Sequence, residues 1–413
     1  MTGCSPSHRW LHRFAVLTAL ATLFLIWVGG LVTSHEAGLA VPDWPTTYGY
    51  NLFFFPFSKW AYSAGGIFYE HSHRLVASAV GLLTVILTVW LWLEEERRWM
   101  RWLGIVALSA VILQGVLGGL RVTQMKDVIG VFHAALAQTF FVLVGVIALG
   151  TSRWWRRRSA DFPVCGLWGL SSPHNPLAEL ESSANPQTGK SALRGFASAL
   201  NACPPSVGAE DWVEKRPKMS VYGGGGLRYL FAFVTGLIFC QLILGATMRH
   251  QHAGLAIPDF PAAYGRAWPA IDAEAVARYN QGRSEVVALN LITSFQIVLQ
   301  MAHRILALII LVGAGWVAWV SRRRLGWSSG LTRVASAWLG LVLLQASLGA
   351  ATIWTNKAAD VATAHVALGA LSLLTGTILT LMATLCSRTA AATARSVTSV
   401  TMAPEESRAQ VSA

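Results

Sequence analysis

Apolar residues along the chain gather into eight long runs, separated by shorter polar segments. A helix needs roughly 20 residues to cross a bilayer core about 30 Å thick, and each run is long enough for one crossing. Because the bilayer interior offers no water to backbone amides, each run is predicted to be an α-helix. The predicted spans are residues 14–33, 71–93, 103–122, 131–150, 229–248, 296–320, 334–354 and 362–385. The pattern therefore predicts an all-α polytopic membrane protein.

Composition supports this class and gives the spans an orientation. Of 413 residues, 54% are hydrophobic and only 13% are charged, which excludes a water-soluble globular chain. With both termini in the cytoplasm, 22 of the 32 Lys and Arg residues fall on internal segments, as the positive-inside rule requires. The basic excess is thus explained by topology, and no nucleic-acid partner is expected. The first run lacks a small-residue cleavage site and no organelle presequence is visible, which favours a bacterial plasma membrane.

The chain repeats itself, which divides it into two halves. Each half holds four spans, so both halves enter the membrane from the same side and are predicted to form four-helix bundles related as a parallel repeat. The predicted parts are an amino-terminal half (1–150), a flexible cytoplasmic linker (151–228), a carboxyl-terminal half (229–386) and a disordered tail (387–413). The duplicated motifs are His73-Arg74-Leu75 with His303-Arg304-Ile305, Gln114 to Gly118 with Gln345 to Gly349, and His133 to Leu136 with His365 to Leu368.

A loop motif is duplicated as well. The run from Gly38 to Pro45 returns as Gly254 to Pro261, with about 14 additional residues following the second copy. Asp43 and Asp259 within it are expected to be turn residues. Glycines inside the helices are expected to serve close helix packing; they are Gly118, Gly119, Gly245 and Gly349.

The four repeated histidines carry the candidate chemistry. His73, His133, His303 and His365 fall at the outer ends of the second, fourth, sixth and eighth spans. Imidazole is costly to bury in hydrocarbon without a partner, and a lone interfacial histidine is more often a polar anchor. Four in matched register favour axial ligation of two porphyrin irons, by His73 with His133 and by His303 with His365. Zinc or copper is the weaker alternative, because each half offers only two histidines.

One residue beside these histidines differs between the halves. Glu70 lies three residues before His73, whereas Gln300 lies three residues before His303. A carboxylate near an iron site can accept a proton or stabilise positive charge, so Glu70 is the candidate catalytic residue. The alternative is a glutamate that caps a helix amino terminus. If function is asymmetric, the first half is reactive and the second half holds a permanent cofactor.

Other polar residues are weaker candidates. Arg74 and Arg304 each follow a ligand histidine and could contact porphyrin propionates, or they could extend towards lipid headgroups. The remaining histidines near the predicted sites are His35, His71, His250 and His252. Of these, only His71 is near enough to Glu70 along the chain to join a proton path.

These motifs resemble those of the haem A synthase family. The resemblance rests on Glu70-x-x-His73-Arg74, Phe132-His133, Ala302-His303-Arg304, Ala364-His365 and the loop motif that ends in Pro45. It implies oxidation of the C8 methyl group of haem O to a formyl group, which gives haem A for terminal oxidases. It also implies a haem b cofactor on His303 and His365, substrate haem near His73 and His133, and Glu70 as the essential acid.

The chain is similar to the cysteine-free branch of that family. Many bacterial members carry two cysteines in the first outer loop, and Val41 and Thr47 stand at those places here. Besides haem O and the membrane, the resemblance leaves open a haem O-making enzyme, an unidentified electron-transfer partner and a second copy of the chain as partners. The rival interpretations are a di-haem b-type cytochrome that transfers electrons from quinol, and a transporter with duplicated halves.

Overall fold

The computed structural model describes residues 6–62, 66–160, 223–282 and 291–401. These residues form eleven α-helices and two short 3-10 helices, and they contain no β-strand. The chain divides into two compact units, one made of residues 1–156 and 224–388, the other of residues 157–223 and 389–413. The first unit carries every candidate site residue.

Eight of the described helices are long and apolar enough to cross a membrane, which confirms the predicted all-α polytopic class. They are α1 (Pro6–Ser34), α3 (Ile67–Glu94), α4 (Arg98–Gln124), α5 (Asp127–Thr151), α7 (Gly223–His250), α9 (Ser294–Leu325), α10 (Gly330–Trp354) and α11 (Ala359–Thr401). The shorter helices are α2 (Phe57–Ala61), α6 (Arg153–Ala160) and α8 (Ala273–Gln281). Each predicted span lies inside one of the long helices.

The long helices exceed the predicted spans because polar turns add to both ends. Helix α9 shows both devices. Its amino terminus is closed by a capping box, in which Thr293 and Gln296 bond each other's backbone amides. Its carboxyl terminus runs through Arg322 to Arg324 and stops at Gly326, whose φ of 72° favours glycine. Hydropathy alone does not register such turns, so the sequence predicted only the apolar middle.

Helix α11 departs most from the prediction. Its backbone continues to Thr401, whereas disorder was predicted from residue 387. The added turns contain Ala390, Ala391, Ala392 and Ala394, and alanine has the highest helix propensity. Residues 161–222 of the linker and 402–413 of the tail lie outside the described residues, so what was predicted for them stays a prediction.

In the first half, four spans pack around one apolar core. Helix α1 contacts α3 and α5, α3 contacts α4, and α4 contacts α5, which closes a four-helix ring. Its fully buried members include Leu11, Leu87, Leu91, Met100 and Ile147.

In the second half, Trp338 on α10 lies at the core. Its indole N–H donates to the Ser372 carbonyl oxygen on α11 at 2.8 Å, and its ring lies 6.2 Å from that of Phe231 on α7. The indole thus ties three spans together while burying its one donor in a hydrogen bond. The relation of the two halves as a parallel repeat stays a prediction.

The two halves meet where small residues allow close approach. The Ser34 and Thr363 hydroxyls of α1 and α11 lie 3.2 Å apart. A Cβ added at Gly30 would stand 2.8 Å from the Thr363 methyl carbon, so only glycine fits there without a shift. Deeper in the membrane, Phe141 of α5 and Ala370 of α11 share a buried apolar cluster. Such contacts are typical of helix packing in membranes.

A buried ion cluster fastens the turn between α3 and α4 to the end of α5. Glu95 is only 2% exposed, and its oxygens accept from Arg97 and Arg156, both at 2.8 Å. Arg97 also donates to the Gly150 carbonyl oxygen at 2.9 Å. Burial acts to raise the pKa of Glu95. The hydrogen bonds and charge of Arg97, with the charge of Arg156, more than offset this and hold that pKa below its ordinary value.

We predict that E95Q lowers the stability of the solubilised protein. The substitution leaves two partly exposed guanidinium groups facing a neutral amide, which should cost about 2 kcal/mol of unfolding free energy. The measurement is the thermal unfolding midpoint at neutral pH. E96Q removes an exposed carboxylate at the next position and should leave the midpoint unchanged.

The same pair of proteins tests the pH dependence. Because the folded pKa of Glu95 is depressed below 4.5, its stabilisation is complete above that pH and is lost as pH falls through the folded value. The difference between wild type and E95Q should therefore be constant above about pH 5.5 and shrink below about pH 4.5. A difference that persists unchanged in stronger acid would contradict the assignment.

Candidate functional site

All four predicted ligand histidines lie on spans, and each imidazole packs against a glycine of a neighbouring span. A Cβ added at the glycine would stand 3.0 to 3.3 Å from Cε1 of the ring, closer than side chains normally approach. The pairs are His73 with Gly29, His133 with Gly118, His303 with Gly245, and His365 with Gly349. Gly118, Gly245 and Gly349 were predicted to serve close helix packing, and Gly29 was not singled out from the sequence. In the structure they make room for the rings.

The ring nitrogens of these histidines are poorly satisfied by the chain. The Nδ1 atoms of His73, His133 and His303 are buried and have no hydrogen-bond partner among the described residues. Nδ1 of His365 lies 3.0 Å from the Gln345 carbonyl oxygen. An unpaired buried polar atom costs roughly 1–3 kcal/mol, so the chain leaves the hydrogen bonding of these three imidazoles incomplete on the Nδ1 side.

The second pair has the spacing of axial ligands. The ring centroids of His303 and His365 lie 6.5 Å apart, with the ring planes inclined by 61°. A metal ion bound between two imidazole nitrogens at about 2.0 Å each would separate the ring centres by roughly 6.3 Å. The observed separation therefore fits an iron held between the two rings, with a porphyrin supplying the four remaining donors.

A cation that was not predicted from the sequence lies near the first histidine pair. His73 and His133 lie within electrostatic range of each other and of Arg121 on α4. Arg121 falls at the end of a predicted span, where an arginine usually extends towards headgroups, so its position in the sequence does not mark it as a site residue. The sequence feature that could have identified Arg121 is its position, as a single arginine on the side of α4 that carries Gly118.

Glu70 is buried and hydrogen-bonded to the first outer loop. It is 4% exposed, its Oε2 accepts the Val41 amide at 2.9 Å, and its Oε1 accepts from Arg74 at 2.7 Å. It lies in the first turn of α3, but its partners are the Val41 amide of the loop and the Arg74 side chain one turn on, rather than free amides of that turn. Its role as the essential acid stays a prediction.

Gln300 makes the equivalent contacts in the second half. Its Oε1 accepts the Ile257 amide at 2.6 Å, and its Nε2 donates to the Gly254 and Ile257 carbonyl oxygens at 3.3 and 3.2 Å. The acid and the amide therefore fasten matching loops to matching helices. The difference between them is the charge, which only Glu70 can carry.

Arg74 and Arg304 also hold the loops. Arg74 donates to the carbonyl oxygens of Val41, Asp43 and Thr46 at 2.8 to 3.0 Å. Arg304 donates to the carbonyl oxygens of Asp259 and Ala262 at 2.7 and 2.8 Å. The propionate contacts proposed from the sequence stay predictions, and in the first half they would require Arg74 to give up loop bonds.

Within each loop an aspartate organises the turn, as expected. Asp43 accepts the amides of Tyr48 and Gly49 at 2.7 and 2.9 Å, and Asp259 accepts those of Tyr264 and Gly265 at 2.7 and 2.8 Å. Burial acts to raise the pKa of Asp43, but the bonds from Gly49, Thr46 and Tyr48 lower it below its ordinary value.

The remaining histidines take other positions. His71 is buried, with Nδ1 3.2 Å from the Thr47 hydroxyl, and no hydrogen bond joins it to Glu70 among the described residues. His35 stacks on Tyr69 with ring centroids 4.1 Å apart. His250 packs on Gly130 of α5, and His252 adopts a left-handed backbone conformation.

The two loops differ in what covers them. The additional residues of the second loop form α8, whose Asp272 caps its amino terminus by accepting the Ala275 amide. Tyr279 of α8 stacks on Tyr264 at 3.6 Å. The first loop instead exposes aromatic side chains at 62 to 81%; they are Phe53, Phe54, Phe57 and Tyr62. Among the described residues, the second loop is therefore covered by a helix where the first loop exposes aromatic side chains.

Fold and site together define a polytopic membrane protein with two pairs of buried, glycine-seated histidines. Residues 12–170 and 206–378 match the family of cytochrome oxidase assembly proteins described as COX15-CtaA. The chain belongs to this family, and its resemblance to haem A synthases is confirmed.

Several relatives carry the name Heme A synthase, and three of them illustrate the similarity. The protein from Shouchella clausii is 30% identical over 140 residues, which are 33% of this chain and 44% of the relative. The protein from Halalkalibacterium halodurans is 32% identical over 146 residues (35% and 44%). The protein from Brucella anthropi is 29% identical over 169 residues (38% and 43%). The chain thus matches less than half the length of each relative.

We predict that R304Q loosens the second loop. It removes two charge-assisted hydrogen bonds, so amides of residues 256–266 should exchange with deuterium about 30-fold faster or more. Hydrogen exchange with mass spectrometry measures this. R278Q removes an exposed guanidinium of α8 and should leave those amides unchanged. Equal protection in both variants would contradict the anchoring role.

Proposed function

We propose that the chain is a haem A synthase, an oxidoreductase that converts the C8 methyl group of haem O to a formyl group. Family membership and the shared name of its relatives support the class. The observation that carries the proposal is the spacing of His303 and His365, 6.5 Å between ring centroids, at which the two side chains would hold a haem iron. Two histidines with unrelated roles would have no reason to lie at this spacing, so the spacing supports a bound porphyrin.

In this proposal the second half holds haem b permanently. His303 and His365 hold the iron, Gly245 and Gly349 seat the rings, and α8 encloses the loop above. When bound, haem b supplies one-electron redox chemistry. The backbone carbonyl oxygen of Gln345 accepts a hydrogen bond from Nδ1 of His365. This bond favours the tautomer that leaves Nε2 free to bind iron.

The first half takes the substrate haem between His73 and His133. Converting a methyl group to an aldehyde takes up one oxygen atom, supplied by water in this proposal, and releases four electrons and four protons, through an alcohol and a hydrate that loses water. Glu70, held by Arg74, stabilises positive charge at the reacting carbon or accepts its proton. Each carboxylate oxygen of Glu70 already accepts one bond and retains a second lone pair for this purpose. The electrons go to a partner of unassigned identity.

The proposed location is a bacterial plasma membrane, with both termini in the cytoplasm. Eight apolar helices make the chain a multi-pass protein, and the relatives are bacterial. The basic segments support the orientation, which puts the four histidines near the external surface. A haem O-making enzyme is the partner expected to supply the substrate.

A di-haem cytochrome is the second candidate. Glu70 and Gln300 make equivalent loop contacts, which reduces the asymmetry that favoured chemistry in one half. Such a cytochrome would transfer electrons and leave its haems unaltered.

Expression beside a haem O source separates the two functions. We expect haem A in the extracted pigments, identified by the mass of its formyl group. Extracts that contain haem O but never haem A, with haem b bound to the purified chain, would support the cytochrome instead.

We predict that E70Q binds haem but does not complete the reaction. The amide can still accept the Val41 amide while it loses the negative charge, so haem O or its alcohol intermediate should accumulate, with haem A output reduced about 100-fold. Pigment extraction followed by mass spectrometry measures the products. Normal haem A output from E70Q would remove Glu70 from the mechanism.

Two glycines on α10 test the cofactor site. G349V places a branched side chain where the His365 ring lies, so the bound haem b should be lost or its Soret band shifted. G340V changes a glycine with nothing within 4 Å of its Cβ position and should retain the spectrum. Equal spectra in the two variants would contradict the ligand role of His365.

A further inference from the structure

The side chain of Arg121 is a partly buried cation, and its guanidinium has no hydrogen bond to any residue that the structure describes. The other arginines near the two sites are engaged. Arg74 and Arg304 hold loop carbonyls, and Arg249 of α7 donates to the Gly30 carbonyl oxygen and to Ser34. A guanidinium has five donors, and leaving them unpaired away from water is costly. Arg121 is therefore suited to an anionic group that the chain does not contain.

The position of Arg121 points to the first pocket. It lies on α4, three residues beyond Gly118, the glycine against which the His133 ring packs. Its Nη2 and Nη1 atoms stand 3.0 and 3.2 Å from the place that a Cβ on Gly38 would take. Gly38 begins the loop that Glu70 and Arg74 hold. The guanidinium thus lies between the outer loop and the histidine pair.

Ionisable groups of the first pocket lie within electrostatic range of Arg121. It interacts electrostatically with Glu70 and with Asp127, and its charge is felt at His73, His133 and His250. Neither carboxylate forms an ion pair with it among the described residues. Glu70 is bonded to Arg74 instead.

The second half has no such group at the corresponding position. The repeat that aligns Gly118 with Gly349 aligns Arg121 with Thr352, whose hydroxyl donates to the Leu348 carbonyl oxygen of its own helix. Gly254, which corresponds to Gly38, has nothing within 4 Å of its Cβ position. The cation is therefore a property of the first pocket.

We infer that Arg121 binds a carboxylate of the porphyrin that enters the first pocket. The inference rests on the proposed function, because it takes haem O as the ligand. Haem O carries two propionates, and a planar guanidinium matches a carboxylate with two parallel hydrogen bonds. Arg121 is a binding residue for the substrate, and it orients the macrocycle between His73 and His133.

Porphyrin titration of the solubilised full chain, with haem b already bound, tests the inference. The probes are iron protoporphyrin IX and its dimethyl ester, which lacks the carboxylate charge. R121Q should weaken binding of the free acid by about 10-fold or more and leave the ester unaffected. R121K, which keeps the charge without the planar pair of donors, should give an intermediate loss.

The matched control is K126Q, which removes an exposed cation near the same end of α4 and should not alter either affinity. An unchanged Soret band of haem b shows that each variant is folded. If R121Q loses that band, binding of the free acid and of the ester is compared between R121K and the wild type instead.

Three results would overturn the inference: free-acid binding that R121Q leaves intact, an equal loss for acid and ester, or a wild-type chain that takes up no second porphyrin. Failure of the proposed function is recognised separately. A wild-type chain that makes no haem A refutes the reaction, whereas haem A production without discrimination between acid and ester refutes only the role of Arg121.

Discussion

An imidazole lying directly against a helix backbone is the contact on which the candidate chemistry depends. A ring this close requires that the facing residue have no side chain, and glycine meets that requirement at all four places. Glycine is otherwise a poor residue inside a helix, because it gains conformational freedom on unfolding. Four such glycines, each on the span beside a histidine, show that ring placement outweighs local helix propensity here.

At the outer ends of the spans, the loops are bonded to the same helices that carry two of the histidines. Glu70 with Arg74, and Gln300 with Arg304, lie on the same helices as His73 and His303, and they bond loop backbone rather than solvent. Each helix therefore presents its histidine and holds its loop with side chains one turn apart. Because each loop is bonded to the helix that carries the histidine, a shift of the loop would act on that helix.

The spans and the positions of the histidines could be predicted because hydropathy and an internal repeat are written directly in residue order. The loop bonds of Arg74 could not, because they depend on where the carbonyls of Val41, Asp43 and Thr46 lie after folding. Helix α8 was missed because its nine residues are too few for a span and include four polar ones, although Asp272 is a recognisable cap. Arg121 was missed for a different reason: an arginine at a span end is ordinary, and only the lack of a partner makes it informative.

Gly29 and Gly30 are neighbours in α1, yet they face different halves of the molecule. The first lies under the His73 ring, and the second lies against Thr363, two residues before His365 on α11. Adjacent positions of one helix therefore contact a candidate ligand of the first half and the histidine-bearing helix of the second half. An added methyl group at Gly29 would press on the His73 ring, and one at Gly30 would press on the Thr363 side chain.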